Sequence, residues 1–327
     1  MAQIVWRFLF GIGSIIVAAI ASAQSFPSRP ITIVVPFPPG GVSDQATRLV
    51  GARLAENLKE NVLVDNRPGA GNQIGANFVK QAKPDGHTLF LSNIGSHAIN
   101  ESLYASLSYD PIKDFESVTA LIISPTLLVV PAGSAARSPA DIIAAAKAKP
   151  GGVSYASQSV GSGGHIAGEI LKANHGLNLV HVPYKGSVPA LTDLIAGRVD
   201  LLFDPIVTAL PFVRDGKLRA LMITSDKRSP LLPDVPTFKE AGLDYPGQGW
   251  WGLAAPKGTP AAVVEKANAA FASVFTDPKF AAFLEQQFVV PATTSPAGFA
   301  EFLKTDRKAA EDLVKIANTP KQEYKPE

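Results

Sequence analysis

The chain has 327 residues of 46% hydrophobic composition, enough apolar side chain for one large domain or two of medium size. Its 30 Lys+Arg stand against 28 Asp+Glu, a formal net charge of +2, and no basic or acidic block occurs, so nothing marks a nucleic-acid partner. Cysteine is absent, which excludes a disulfide framework, a thiol nucleophile and a thiolate metal site.

At the N-terminus, Arg7 precedes an apolar run from Phe8 to Ile20 that closes in Ala21-Ser22-Ala23. That is the pattern of a secretory signal peptide cleaved after Ala23, and the run is shorter than the roughly 20 residues a bilayer-spanning helix needs. The expected mature chain begins near Gln24, outside the cytoplasm, without a membrane anchor.

From Ile31 onward, short β-branched runs alternate with helical stretches, which predicts an α/β fold with largely parallel strands. The predicted strands are Ile31–Val35, Val62–Asp65, Thr88–Ser92, Thr126–Val130, Val153–Ser157, Leu179–Val182, Val199–Phe203, Arg219–Thr224 and Trp250–Ala255. Ser138-Pro139, Thr259-Pro260 and Ser295-Pro296 each put a hydroxyl at an N-cap and proline in the first helical position.

One phrase occurs twice. Strand Ile31–Val35 runs into the turn Pro36-Phe37-Pro38-Pro39-Gly40-Gly41 and a helix from Ser43; strand Val153–Ser157 runs into Gly161-Ser162-Gly163-Gly164 and a helix from His165. Open α/β sheets bind ligands at the carboxyl ends of their strands, so two such turns on two sheets predict two lobes facing across a cleft. Pro125–Pro131 and Trp250–Pro256 are extended apolar segments ending in Pro-x-Gly turns, read as the crossings between lobes. The expected division is a signal peptide 1–23, a discontinuous first lobe 24–125 and 250–327, and a second lobe 126–249.

Glycines at a strand-to-helix turn let the backbone approach a ligand, while the helix N-terminus presents unpaired N–H groups; the same glycines also serve as ordinary tight turns. Neither turn contains Lys or Arg, which favours reversible capture of a carboxylate over tight binding of phosphate. Asp204, closing an apolar strand, either accepts from a ligand ammonium or hydroxyl or caps the helix expected near Pro205. His165 and Glu169 lie one helical turn apart with His175 or His181 as a third candidate ligand, a spacing that equally suits a helix-surface pair, and no metal is expected. Gly69, Gly71 and Gly75 loosely imitate a dinucleotide fingerprint, without the acidic residue that should end the next strand. A P-loop, a G-x-S-x-G elbow and an H-E-x-x-H helix are all missing, so neither a cofactor nor catalysis is expected.

Longer motifs carry a family likeness. Pro36–Gly41 with Asp44 and Arg48, then Val64-Asp65-Asn66-Arg67-Pro68-Gly69-Ala70-Gly71, Pro84-Asp85-Gly86-His87-Thr88-Leu89, Val182-Pro183-Tyr184-Lys185-Gly186, Pro233-Asp234-Val235-Pro236-Thr237 and Trp251-Gly252-Leu253 follow in order along the mature chain. They resemble the tripartite tricarboxylate transporter substrate-binding proteins, the Bug receptors. The resemblance implies a type II periplasmic-binding-protein fold whose two lobes close over a small organic carboxylate. It also implies delivery to integral-membrane transporter subunits by a monomeric receptor, with no catalysis. Residue by residue it places Phe37, Pro39, Gly40 and Gly41 on the first-lobe side with Ser92 or Asn93 adjacent, and Ser157, Gly161, Gly163 and Asp204 on the second. One departure stands out: Asn72 occupies a position where many relatives carry glycine. A receptor feeding a sensor kinase, or an exported hydrolase or metal-dependent enzyme on an α/β scaffold, are the alternatives.

Overall fold

The computed structural model describes residues 26–243, 249–286 and 289–323; the expected signal peptide, with its expected cleavage after Ala23, lies outside the described residues. In chain order the elements are β1 (Ile31–Val35), α1 (Val42–Leu58), β2 (Val62–Asn66), α2 (Gln73–Lys80), β3 (Thr88–Asn93), α3 (Asn100–Leu103), β4 (Phe115–Ser124) and β5 (Thr126–Pro131). There follow α4 (Pro139–Ala148), β6 (Val153–Ser157), α5 (Gly163–His175), β7 (Leu179–Pro183), α6 (Ser187–Ile195), β8 (Leu201–Pro205), α7 (Ile206–Arg214) and β9 (Leu218–Ile223). The chain then forms β10 (Gly249–Pro256), α8 (Ala261–Phe275), α9 (Pro278–Gln286), β11 (Val290–Pro291) and α10 (Pro296–Ile316).

Among the described residues the strands form two sheets, one of order β11-β4-β10-β3-β1-β2 and one of order β7-β6-β8-β5-β9. The two lobes of α/β structure are those expected for a type II periplasmic-binding-protein fold. Both sheets are mixed, not largely parallel: β1 pairs parallel with β2 and β3, whereas β10 runs antiparallel to β3 and β4. In the second sheet β6 is parallel to β7 and β8, while β5 is antiparallel to β8 and β9. The antiparallel strands are those next to the crossings. β4 ends at Ser124 in one sheet and β5 begins at Thr126 in the other, with Pro125 between them, and β10 belongs to the first sheet from Gly249.

The ten-residue strand β4 was not among the predicted strands. It pairs with β10 along their whole length, from Phe115↔Pro256 to Ser124↔Gly249. Its N-terminal half, Phe-Glu-Ser-Val-Thr, mixes polar and apolar residues without a buried run, so its strand character comes from the partner. Local signals elsewhere hold. Ser138 caps α4 in a full capping box with Asp141, and Ser295 caps α10 by accepting from Gly298 N–H. Thr259 does not cap α8; its hydroxyl donates to the Pro256 carbonyl at 2.7 Å, and Pro260 takes the N-cap position.

Ile31, Ile33 and Val35 of β1 bury against α1 and α8 in a core with Leu54, Leu253 and Phe271. Beneath the second sheet, Leu127, Val129 and Leu202 pack with Leu191 and Leu210 of α6 and α7. A third core runs from one lobe to the other: Phe299 and Leu303 of α10 share it with Ile166 of α5, Tyr155 of β6 and Phe203 of β8. Gly252 lets α10 lie flush on β10, since a Cβ there would fall 2.3 Å from the Phe299 ring. The helical C-terminal segment is therefore a brace behind the cleft.

Candidate ligand-binding cleft

Between the lobes lies a cleft of about 800 Å³, open space at its mouth included. Its walls are the turns at the carboxyl ends of β1, β3, β6 and β8, where open α/β sheets place their ligands. Among the described residues, five α-helices begin at this cleft. The N-caps Gly41 of α1, Asn72 of α2, Ser162 of α5, Gly186 of α6 and Pro205 of α7 all line it. No side chain caps α1, α6 or α7. Each such terminus favours a nearby anion by roughly 0.3–1 kcal/mol, and up to ~2 where partly buried.

The β1 to α1 turn is held from within. Asp44, in the first turn of α1, accepts the Gly40 N–H at 2.9 Å and pairs with Arg48 at 2.9 Å. Burial alone would raise the Asp44 carboxyl, but hydrogen bonds from Arg48, Gly40 and Asn66, with the Arg48 charge, hold it below its ordinary value. The Gly40 amide is thereby spent on its own helix, at φ +82, a left-handed conformation that glycine adopts without strain. Opposite, Gly186 (φ +118, ψ 174) brings the β7 to α6 turn against the first lobe: a Cβ there would sit 3.1 Å from Pro38 Cδ. The two turns thus meet across the cleft.

Polar side chains between them have fixed orientations. Asn93 Oδ1 accepts from Ser96 N–H at 3.1 Å and from Asn72 Nδ2 at 3.2 Å, and its Nδ2 is buried without a hydrogen-bond partner in the protein, the one donor of this cleft-lining side chain not yet used. Trp251 lines the cleft with a buried indole N–H that likewise has no partner in the protein. Trp250 instead donates its N–H to Asp306 Oδ2 of α10 at 2.7 Å, and burial pushes Asp306 up to about 6. Lys185 is the single Lys or Arg on the cleft lining among the described residues. Gly164 allows α5 to start hard against β8, where a Cβ would fall 2.3 Å from the Phe203 carbonyl oxygen.

Of the residues singled out from the sequence, Phe37, Pro39, Gly41, Asn93 and Gly163 line the cleft. Gly40 is committed to Asp44 as described. Ser92 is fully buried beside the cleft. Ser157, also buried, donates to the Ser159 carbonyl at 3.0 Å and lies 2.8 Å from His181 Nε2. Gly161 (φ +78) serves the contact between lobes: a Cβ there would meet Asn100 Oδ1 at 2.6 Å. Asp204 lies inside β8, wholly buried, and does not cap α7, whose N-cap is Pro205. It accepts at Oδ1 from Gln158 Nε2 at 2.7 Å and Ser187 Oγ at 2.6 Å, and those two residues, not Asp204, line the cleft. Burial pushes its carboxyl up to about 6 despite these hydrogen bonds.

Asn72, Gln158 and Ser187 were missed as cleft residues. The available signal was Asn72 itself, the odd residue in an otherwise matching motif. It adopts φ +76, which asparagine tolerates better than most residues, and its side chain is nearly buried. His165 and Glu169 do not converge on one point. The His165 ring stacks on His181 at 4.3 Å and its Nδ1 accepts from Gly161 N–H, while Glu169 takes the Tyr155 hydroxyl and the Lys172 ammonium at 2.8 Å. Burial, with the Lys172 charge, pushes His165 down to about 4, and burial pushes His181 down to about 3, so both rings are neutral at pH 7.

The family model described as "Tripartite tricarboxylate transporter family receptor" matches residues 46–318. A "UPF0065 protein in tcbD-tcbE intergenic region" from Pseudomonas sp. strain P51 is 38% identical over 94% of this chain and 93% of its own length. The R. palustris protein Rpa4515, solved with adipate, superposes with TM-score 0.87 at 34% identity, covering 91% of this chain and 100% of that one. MatC from Rhodopseudomonas palustris, solved with bound malate, superposes with TM-score 0.84 at 33% identity over 88% and 99% of the two chains. Family, fold and cleft agree, and the chain belongs to the tripartite tricarboxylate transporter receptors, solute-binding proteins of the periplasmic type.

Proposed function

We propose that this receptor captures a small organic carboxylate between its lobes and passes it unchanged to the integral-membrane subunits of a tripartite tricarboxylate-type transporter. The observation that carries the reading is the convergence of five helix N-termini on one cleft that Asn93 and Trp251 also line. Such a lining stabilises an anion and supplies no activated nucleophile. The relatives solved with adipate and malate support a carboxylate as cargo.

In this reading the receptor works as a monomer in the periplasm after cleavage behind Ala23. Its lobes divide at Pro125 and ahead of Trp250. Among the described residues no helix is long and apolar enough to cross a membrane. Micromolar capture needs about −8 kcal/mol. Helix termini contribute only a few of these; lobe closure adds the rest by excluding water and completing hydrogen bonds from both sides. The Pro38 to Gly186 contact is where the closed lobes would touch.

A thermal-shift screen of the chain without residues 1–23, against mono-, di- and tricarboxylates, aromatic acids and amino acids, tests the proposal. A ligand at a hundredfold excess over Kd stabilises by about 2.7 kcal/mol, a shift easily read. The expected result is stabilisation by one acid class with the ligand recovered intact. Turnover of the ligand, or no shift with any acid, would refute it.

A further inference from the structure

Four side chains of the cleft lining carry polar ends whose hydrogen-bonding sense is fixed, and the sense differs between the lobes. On the first lobe Asn93 Nδ2 and Trp251 Nε1 can only donate. On the second lobe, the two amide hydrogens of Gln158 are both spent, one on the Phe203 carbonyl at 2.6 Å and one on Asp204 Oδ1 at 2.7 Å. A flipped amide would set the Gln158 carbonyl against those same two acceptors, so the orientation is fixed by chemistry. The carbonyl Oε1 lies over Gly164 at the cleft, 3.0 Å from where a Cβ would be. Ser187 has one hydroxyl hydrogen and gives it to Asp204 Oδ1 at 2.6 Å, leaving only lone pairs. Asp204 itself is fully buried behind both, with Oδ2 unpartnered. It is an acceptor that turns two cleft residues into acceptors.

Resting on the carboxylate reading above, we infer that the second-lobe wall selects a hydrogen-bond donor on the ligand. The cargo is then a hydroxy- or amino-carboxylic acid, in which Gln158 Oε1 and Ser187 Oγ accept from the hydroxyl or ammonium. Asp204 is the positioning residue that sets their polarity. A plain dicarboxylate would bring only acceptors to these two oxygens and leave them unsatisfied, whatever the helix termini and Lys185 of the same wall do for its carboxylates. Buried polar groups left unpaired are what allow a site built for a hydrogen bond to reject the analogue that lacks it.

The test is calorimetric titration of the chain lacking residues 1–23, at pH 7.5, with two length-matched series: succinate, malate and aspartate, and glutarate, 2-hydroxyglutarate and glutamate. Within at least one series the hydroxy or amino acid should bind about ten-fold or more tightly than the plain acid. Comparison of its hydroxyl and ammonium members then shows which donor is preferred. Asp204→Asn, whose amide nitrogen can donate to Ser187 Oγ and free that hydroxyl hydrogen for the cleft, should bring that ratio towards one. Ser187→Ala, which leaves the buried carboxylate in place, should reduce it in a protein whose fold is not at issue. Equal affinities within both series for the native protein would overturn the inference while leaving the carboxylate reading intact. A preference that survives in both variants would overturn the roles given to these residues. Failure of all six acids, and of the wider panel, would overturn the carboxylate reading and this inference together.

Discussion

Replacing Gly186 by alanine separates backbone strain from lobe closure. At φ +118 and ψ 174 the residue sits in a region of backbone space that is essentially reserved for glycine, and a side chain there costs about 1–3 kcal/mol. That penalty applies whenever the β7 to α6 turn is folded, with or without ligand. It should lower the melting temperature of the unliganded protein by roughly 2–12 °C, using about 2–4 °C per kcal/mol for a chain of this order of size. The added Cβ would also stand 3.1 Å from Pro38 Cδ across the cleft, tight enough that one turn must give by a few tenths of an ångström. This second cost arises only where the lobes meet, so it falls on binding. Overpacking of this kind costs about 1–3 kcal/mol, which corresponds to a Kd raised between about five-fold and about a hundred-fold. Differential scanning calorimetry without ligand and titration with the best acid from the screen read the two effects separately. Native melting temperature would refute the strain argument. A lowered melting temperature with native affinity would refute the closure argument.

Three further outcomes are expected. Asn72→Gly removes a side chain from a left-handed position but also removes one of the two donors that orient Asn93; stability should change by less than about 1 kcal/mol while ligand affinity falls several-fold by titration. Trp250→Phe leaves the buried Asp306 carboxyl without its donor, and urea unfolding should show a loss of about 1–3 kcal/mol that Asp306→Asn does not add to in the double variant. Acid should destabilise the protein between pH 7 and pH 5. Burial holds His97 and His181 near 3 and His165 near 4, so below the ordinary 6.5 the unfolded chain takes up protons that the folded chain refuses, and stability is lost. Asp204 and Asp306, pushed up to about 6, act in the opposite sense, since the folded chain holds their protons between about 6 and the ordinary 3.8. At pH 5 the three histidines outweigh the two carboxyls by roughly 3 kcal/mol, so a melting temperature that rises on acidification would contradict this balance.

Much of the fold was legible because its signals are local. A β-branched run buried on both faces, a serine accepting from an N–H three residues on, and a proline in a first helical turn act within a few residues of one another. That is how β1, the Ser138 and Ser295 caps and the two glycine turns could be read directly, together with family motifs that run along the chain in order. The strand β4 could not be read so. Its pairing partner β10 lies more than a hundred residues away, and a half-polar segment such as Phe115–Thr119 becomes a strand only when that partner supplies the ladder.

The same division runs through the site. Phe37, Pro39, Gly41, Asn93 and Gly163 were found because they occupy turns at strand ends, where position alone brings a residue to a cleft. Gly40 and Asp204 show what position cannot decide. A backbone amide at a helix start and a carboxylate at a strand end both look available until the structure shows the Gly40 N–H bound by Asp44, and Gln158 and Ser187 between Asp204 and the cleft. The sequence by itself determined which elements form and that glycine-rich helix starts recur on two lobes, because propensity and capping are properties of neighbouring residues. Only the tertiary structure decided which donors and acceptors remain for a ligand, because each hydrogen bond spent inside the protein removes a group that distant segments must first be folded together to satisfy.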